Sequence, residues 1–222
     1  MDQTPVHEQH NPDLLAFIPG DARKIVEVGC SSGALAREYK KINRDCQYIG
    51  VECAPEYAQL AERYCDSVVV ADIEIVDEEF FQSTLNCDCW IFGDTLEHLK
   101  DPWSLLSKIR KFIPDSGSIV ACIPNVQHWS VQARLCCGDF RYENSGLFDR
   151  THLRWFTRQT IFEMFNEAGF NIAEGAARDL NEPGRDKILT AIRTMAVSIG
   201  ADPEMAASDA LPLQYVIRAV PA

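Results

Sequence analysis

Several things are missing from this chain. No apolar run approaches the length that crosses a bilayer, so no helical membrane span is expected. Basic residues are scarce: 21 Lys and Arg stand against 33 Asp and Glu in 222 residues, a formal charge of −12. That balance argues against a protein that tracks phosphate backbones, and no nucleic-acid partner is expected. The nine cysteines include no CxxC pair and are odd in number, which speaks against a structural zinc site or a complete disulfide framework. Buried thiols in a reducing cytosol fit them better. The amino terminus, MDQTPVHEQHNPD, lacks the basic-then-apolar order of a secretory signal, and a cytoplasmic location is expected. Internal repeats and low-complexity tracts are also missing. What is present is 46% hydrophobic residues, enough for one core, and residues 1–222 read as a single domain.

Short apolar runs alternate with amphipathic segments. The runs are KIVEVGC (24–30), QYIGVEC (47–53), SVVVAD (67–72), CDCWIFGD (87–94), SIVACIP (118–124), GFNIAEGAA (169–177) and QYVIRAV (214–220). Helical patterns follow the first, second and fourth runs: ALAREYKKI, APEYAQLAERYC and PWSLLSKIRKFI. The rhythm predicts an α/β chain around a mostly parallel sheet. Cys87 and Cys89, two apart on one predicted strand, are expected on one face as core thiols. After the fifth run the rhythm changes. Residues 124–157 carry aromatics among polar groups and read as an inserted lid, with a short helix in SVQARLCCGDF that Ser130 would cap and Gly138 would stop. A second irregular insertion spans 178–213, with one helix, ILTAIRTMAVSIG.

The first strand runs into Val28-Gly29-Cys30-Ser31-Ser32-Gly33, a tight strand-to-helix turn with glycines where backbone must approach a ligand. A dinucleotide site would want GxGxxG, so that a pyrophosphate meets no side chain. That pattern is missing. Instead there are acids: Glu27 within the first strand, Glu52 nineteen residues after Gly33 at the end of the second, and Asp72 at the end of the third. A glycine turn flanked by carboxylates suits a cationic, phosphate-free nucleoside.

With Phe92-Gly93-Asp94-Thr95-Leu96-Glu97-His98-Leu99 closing the fourth strand, the stretch from Asp21 to Ala219 resembles the class I S-adenosylmethionine-dependent methyltransferases of the methyltransferase-11/23-like branch. The resemblance implies a Rossmann-like, seven-stranded, mostly parallel sheet whose antiparallel last strand lies between the fifth and sixth. It implies S-adenosylmethionine as cofactor, with S-adenosylhomocysteine as product. Glu27 would serve the methionine amino group, and Gly29, Cys30 and Gly33 would approach the cofactor with their backbones. Glu52 would hold the ribose, Cys53 and Ile73 would flank the adenine, Asp72 would bind its amine, and Gly93 and Asp94 would line the pocket floor.

The lid, PNVQHWSVQARLCCGDFRYENSGLFDRTHLRWFT, resembles the "PNxxHW…DxTHxRxFT" pattern of methyltransferases found beside or fused to glycosyltransferases in bacterial surface-polysaccharide clusters. That implies a glycan acceptor, with a glycosyltransferase partner or a homodimer. A related pattern occurs in proteins associated with homoserine acylation, which implies a non-catalytic subunit supporting a partner transferase as the alternative. A small-metabolite or nitrogen acceptor is a further reading.

A sugar hydroxyl attacks poorly until its proton is removed, and histidine suits that work. His128 and His152 are the candidate bases, with Asp149 to orient a histidine or accept from a hydroxyl. The alternative is that Asp149 and His152 merely prop a turn and His128 bonds backbone. Residues 124–160 hold five arginines against three acids, so the lid suits an anionic acceptor, with Arg150 and Arg154 as binding candidates. Trp129 and Trp155 are candidate stacking platforms; lid core is the other reading of these aromatics. No metal is expected, because Asp94, Glu97 and Asp101 would be dispersed by helical spacing.

Overall fold

The computed structural model describes residues 6, 8–179 and 183–222. Seven strands form one sheet in the order β3-β2-β1-β4-β5-β7-β6. They are β1 (Lys24–Val28), β2 (Gln47–Glu52), β3 (Ser67–Val70), β4 (Cys89–Gly93), β5 (Ser118–Pro124), β6 (Phe170–Asp179) and β7 (Pro212–Pro221). β1 to β5 run parallel, and β7 lies antiparallel between β5 and β6. The seven apolar runs are therefore the seven strands, in the order the resemblance implied. Among the described residues no helix is long and apolar enough to cross a membrane.

Period-2 alternation builds two cores, one on each face of the sheet. Val26, Val28, Trp90, Phe92, Ile119, Ala121 and Ile123 face α4 (Glu78–Thr84), α5 (Pro102–Phe112) and α7 (Arg158–Glu167). Ile25, Cys89, Ile91, Val120 and Cys122 face α1 (Pro12–Phe17), α2 (Ala34–Ile42) and α3 (Pro55–Ala61). Cys87 and Cys89 are both buried, but they belong to opposite cores. The strand begins only at Cys89, so the two-residue period that would align them does not reach Cys87. Cys53, Cys136 and Cys137 are exposed, against the expectation of buried thiols.

The segment after β5 opens on Asn125, which is fully buried. Its Nδ2 donates to the carbonyls of Asp209 and Pro212, each at 2.8 Å, and its Oδ1 accepts from Gln127 N at 3.0 Å. This ties the lid to the entry of β7. α6 (Trp129–Cys136) follows, stopped by Gly138 in the left-handed region as expected. The cap is His128 rather than Ser130, because the helix starts at Trp129 and Ser130 lies inside the first turn, donating its N–H to His128 Nδ1. Residues 178–213 contain two helices, α8 (Arg185–Ser198) and α9 (Pro203–Asp209). Trp129 packs with Leu189, Ile192, Ala207 and Ala210 in a third, small core. α1 was also unforeseen, although Asn11 caps it and Pro12 occupies its first position, a signature legible in Asn-Pro-Asp.

Candidate active site

Because β1 to β5 are parallel, the glycine turn, Glu52, Asp72, Asp94 and Asn125 emerge at one edge of the sheet, where open α/β folds bind ligands. Gly29 and Gly33 have φ of 72° and 74°, and Ser31 joins them at 47°. A Cβ on Gly33 would stand 3.1 Å from the Ala61 Cα, so only glycine lets α2 start against α3. The Cys30 side chain points away from the turn, its sulfur packed over Gly50 beside Cys65, leaving backbone as what Cys30 presents there.

Glu52 is buried and braces the turn: its carboxylate accepts from Ser31 N and Ala54 N, both at 3.0 Å. The Cys53 thiol also lies 3.6 Å from Glu52 Oε1. Glu27, also buried, accepts from the Tyr48 hydroxyl at 2.8 Å. Burial raises its pKa to about 8; the Tyr48 hydrogen bond opposes that rise and the Glu52 charge adds to it. A buried acid of this kind is completed by a cation, and the left-handed glycines leave backbone bare beside it. The residues fit S-adenosylmethionine.

Asp72 is half-buried and accepts from Glu74 N, Ile73 is buried in the larger core, and Cys53 is exposed. Gly93 lies under Leu14 of α1, whose Cδ2 would be 2.9 Å from an added Cβ. Asp94 sits at φ 53° and accepts from the Gln214 amide, which in turn accepts from Arg178 at 2.5 Å. Gln214 was not singled out from sequence, since nothing local joins β7 to β4.

The second group of residues gathers beyond β4. The chain makes a single 3₁₀ turn at Leu96–His98, and the Glu97 carbonyl accepts from Leu153 N and Arg154 N at 2.8 and 3.0 Å. The lid loop is thereby seated on the turn. Asp149 is buried and accepts from both the N–H and the hydroxyl of Thr151, at 2.8 and 2.7 Å. His98 Nδ1 lies 3.2 Å from the Thr151 carbonyl. The His98 and His152 rings meet edge to face at 4.8 Å, and His152 Nε2 lies 3.9 Å from Glu97 Oε1. Burial pushes Glu97 well up and lowers His152 to about 4, with His98 adding to the latter. His152 is therefore a neutral imidazole near pH 7, and its 3.9 Å approach to Glu97 is not that of a charged histidine.

The structure brings His152 and Asp149 together with Glu97 and His98. His128, wholly buried, caps α6 with its ring 5.4 Å from that of Trp129. Arg150 and Trp155 are exposed in the lid loop, with Trp155 edge to face against Phe140. Arg154 spends its guanidinium on the carbonyls of Leu153 and Lys100, and Trp129 is committed to the small core. In the sequence Glu97 belongs to the stretch that carries the family resemblance and is one of three acids that helical spacing would disperse; its convergence with His152 has no local signal. A groove of about 350 Å³ between α7 and β6–β7, lined by Phe162 and Ile172 among others, shares no residue with this site.

Solved structures share this architecture. An S-adenosylmethionine-dependent methyltransferase from Archaeoglobus fulgidus superposes with a TM-score of 0.64 at 19% identity, covering 94% of this chain and 91% of that one. Magnesium protoporphyrin IX methyltransferase from Synechocystis PCC 6803, solved with bound S-adenosylhomocysteine, gives 0.62 at 11% identity, covering 95% and 81%. By sequence, (S)-coclaurine N-methyltransferase of Papaver somniferum is 24% identical over 99 residues, which is 44% of this chain and only 28% of that protein. A family model described as a methyltransferase domain matches residues 7–174. With the glycine turn and its carboxylates, these likenesses support S-adenosylmethionine as the cofactor, and the extent of the family match means that the chain belongs to the methyltransferase-domain family.

Proposed function

We propose that this methyltransferase methylates a hydroxyl of a saccharide or glycan intermediate, with a lid histidine taking the hydroxyl proton. The observation that carries the reading is His152: buried, neutral near pH 7, and held beside Glu97 at the carboxyl edge of the sheet, in the same loop that exposes Arg150 and Trp155. Bound S-adenosylmethionine supplies an electrophilic methyl group on a sulfonium. Glu27, Glu52 and Asp72 hold its polar ends, and Gly29, Cys30 and Gly33 let it close on the backbone. Gly93 and Asp94 floor the pocket, while Cys53 and Ile73 flank the base. Asp149 acts through Thr151 on the histidine pair, His128 is the second candidate base, and Arg150 and Trp155 meet an anionic, sugar-bearing acceptor. The resemblance of the lid to glycosyltransferase-associated enzymes favours a glycosyltransferase partner or a homodimer.

The test is transfer of labelled methyl to nucleotide sugars and glycans by wild type, His128→Ala and His152→Ala. Loss of turnover in at least one variant, with cofactor binding intact, is expected. Full turnover in both removes the histidine base. A second reading, an amine acceptor, is favoured by the name of the poppy relative, and methylation of amines but not sugars would establish it.

A further inference from the structure

Glu97 is 1% exposed, and neither of its carboxylate oxygens accepts a hydrogen bond from any described residue. Buried carboxyl groups are expensive without partners, and a native one left bare usually marks an absent ligand or ion. The charged groups close enough to act on it are Asp94 and Asp149, both acids, and the nearby Arg154 is turned onto backbone carbonyls. What the pocket lacks is a cation.

Two imidazoles complete the set. One ring nitrogen of His98, one of His152 and a Glu97 oxygen all lie within 4.8 Å of one another. The tautomer of His98 is set by its neighbours. Thr151 Oγ1 gives its proton to Asp149 at 2.7 Å, so toward His98 Nδ1, 3.1 Å away, it can only accept, as does the Thr151 carbonyl at 3.2 Å. His98 therefore carries its proton on Nδ1 and presents a bare lone pair at Nε2. A ligating histidine needs this arrangement, the far nitrogen bound to a carbonyl and the near one free for a metal. Two histidines and one carboxylate, with further positions open, are a donor set for divalent first-row metals.

We propose that Glu97, His98 and His152 bind one divalent first-row metal ion, with Thr151 and Asp149 fixing the ring of His98. Ligands roughly 2.0–2.2 Å from an ion stand about 3 Å apart, so the three side chains close inward on binding. Ion binding is independent of the reaction. Its part in catalysis rests on the methyl transfer proposed above and changes one role in it: with the ion bound, His152 is a ligand rather than the base, the ion would hold the acceptor hydroxyl and ease its deprotonation, and His128, the second candidate, would take the proton.

The test is titration of metal-free protein with Mn²⁺, followed by loss of the free-ion electron paramagnetic resonance signal, with Zn²⁺ as competitor. Mn²⁺ favours oxygen donors such as carboxylate over soft thiolates, Zn²⁺ suits the two imidazoles, and the exposed thiols Cys53, Cys136 and Cys137 are alkylated beforehand. One ion per chain is expected. Affinity should fall at least tenfold in Glu97→Gln and His152→Asn, and about 10–100-fold in Thr151→Val, which touches no ligand atom. Circular dichroism and cofactor titration check that each variant is folded, and should His152→Asn not fold, the near-isosteric Glu97→Gln decides. Failure of both Mn²⁺ and Zn²⁺ to bind stoichiometrically at millimolar concentration overturns the site, as does binding undiminished in the variants. Ion binding without methyl transfer leaves the site standing and overturns only the proposed reaction; transfer without ion binding does the reverse.

Discussion

The Tyr48 hydroxyl donates to Glu27 Oε2 at 2.8 Å, joining β2 to β1 inside the core that faces α1 to α3. That hydrogen bond opposes the rise of a carboxyl group whose pKa burial lifts to about 8, with Glu52 adding to the rise; the buried Cys30 thiol stands near both acids. Since the unfolded chain ionises Glu27 near 4.5 while the folded chain keeps its proton to about 8, the unfolded state binds fewer protons in between, and stability falls as pH rises across that window. Glu27→Gln removes this dependence. Denaturant midpoints at pH 5, 6, 7 and 8 should show the variant gaining on wild type by up to about 1.4 kcal/mol per pH unit, levelling above pH 8. A constant difference would show that Glu27 ionises normally.

Glu52 holds two backbone N–H groups of the cofactor turn. Glu52→Ala leaves Ser31 N and Ala54 N without their acceptor and takes away the proposed ribose ligand. Hydrogen bonds to charged groups contribute about 1.5–3 kcal/mol, so cofactor affinity measured by calorimetry should fall at least tenfold. Unchanged affinity would place the cofactor elsewhere.

Gly33 holds a left-handed turn against the Ala61 backbone. Gly33→Ala adds a Cβ in an unfavourable conformation and a close contact at once, and about 1–3 kcal/mol of stability should be lost. For a chain of this size that is a fall of roughly 2–4 °C in Tm per kcal/mol. A variant as stable as wild type would mean that α2 shifts without cost.

The two lid tryptophans should separate cleanly. Trp129→Ala empties the small core between α6, α8 and α9 and should cost about 3–5 kcal/mol, read as loss of amide protection in those helices by hydrogen exchange. Trp155, 42% exposed, should cost little stability when replaced by Ala. On the proposed reading it raises KM for a sugar acceptor and leaves cofactor affinity alone. A large stability loss at Trp155 would make it a structural residue.

How much could be read beforehand follows from the range of each signal. The seven strands, the turn with Gly29 and Gly33, and helices such as α2 and α5 are written in residues a few positions apart: period-2 and period-3.6 burial, and glycines where φ turns positive. The same locality misled at Cys87, where the strand was drawn two residues too early, and at Ser130, where the helix starts one residue sooner than its most familiar capping residue. Tertiary structure alone decided that Asn125 would fasten the lid to the segment before β7, that Trp129 would join the small core with α8 and α9, and that Asp94 would meet Gln214. It also decided that His152 would arrive beside Glu97 and His98. Those meetings depend on how loops between β5 and β7 return across the sheet edge, and a path set by distant packing leaves no period in the residues that it brings together.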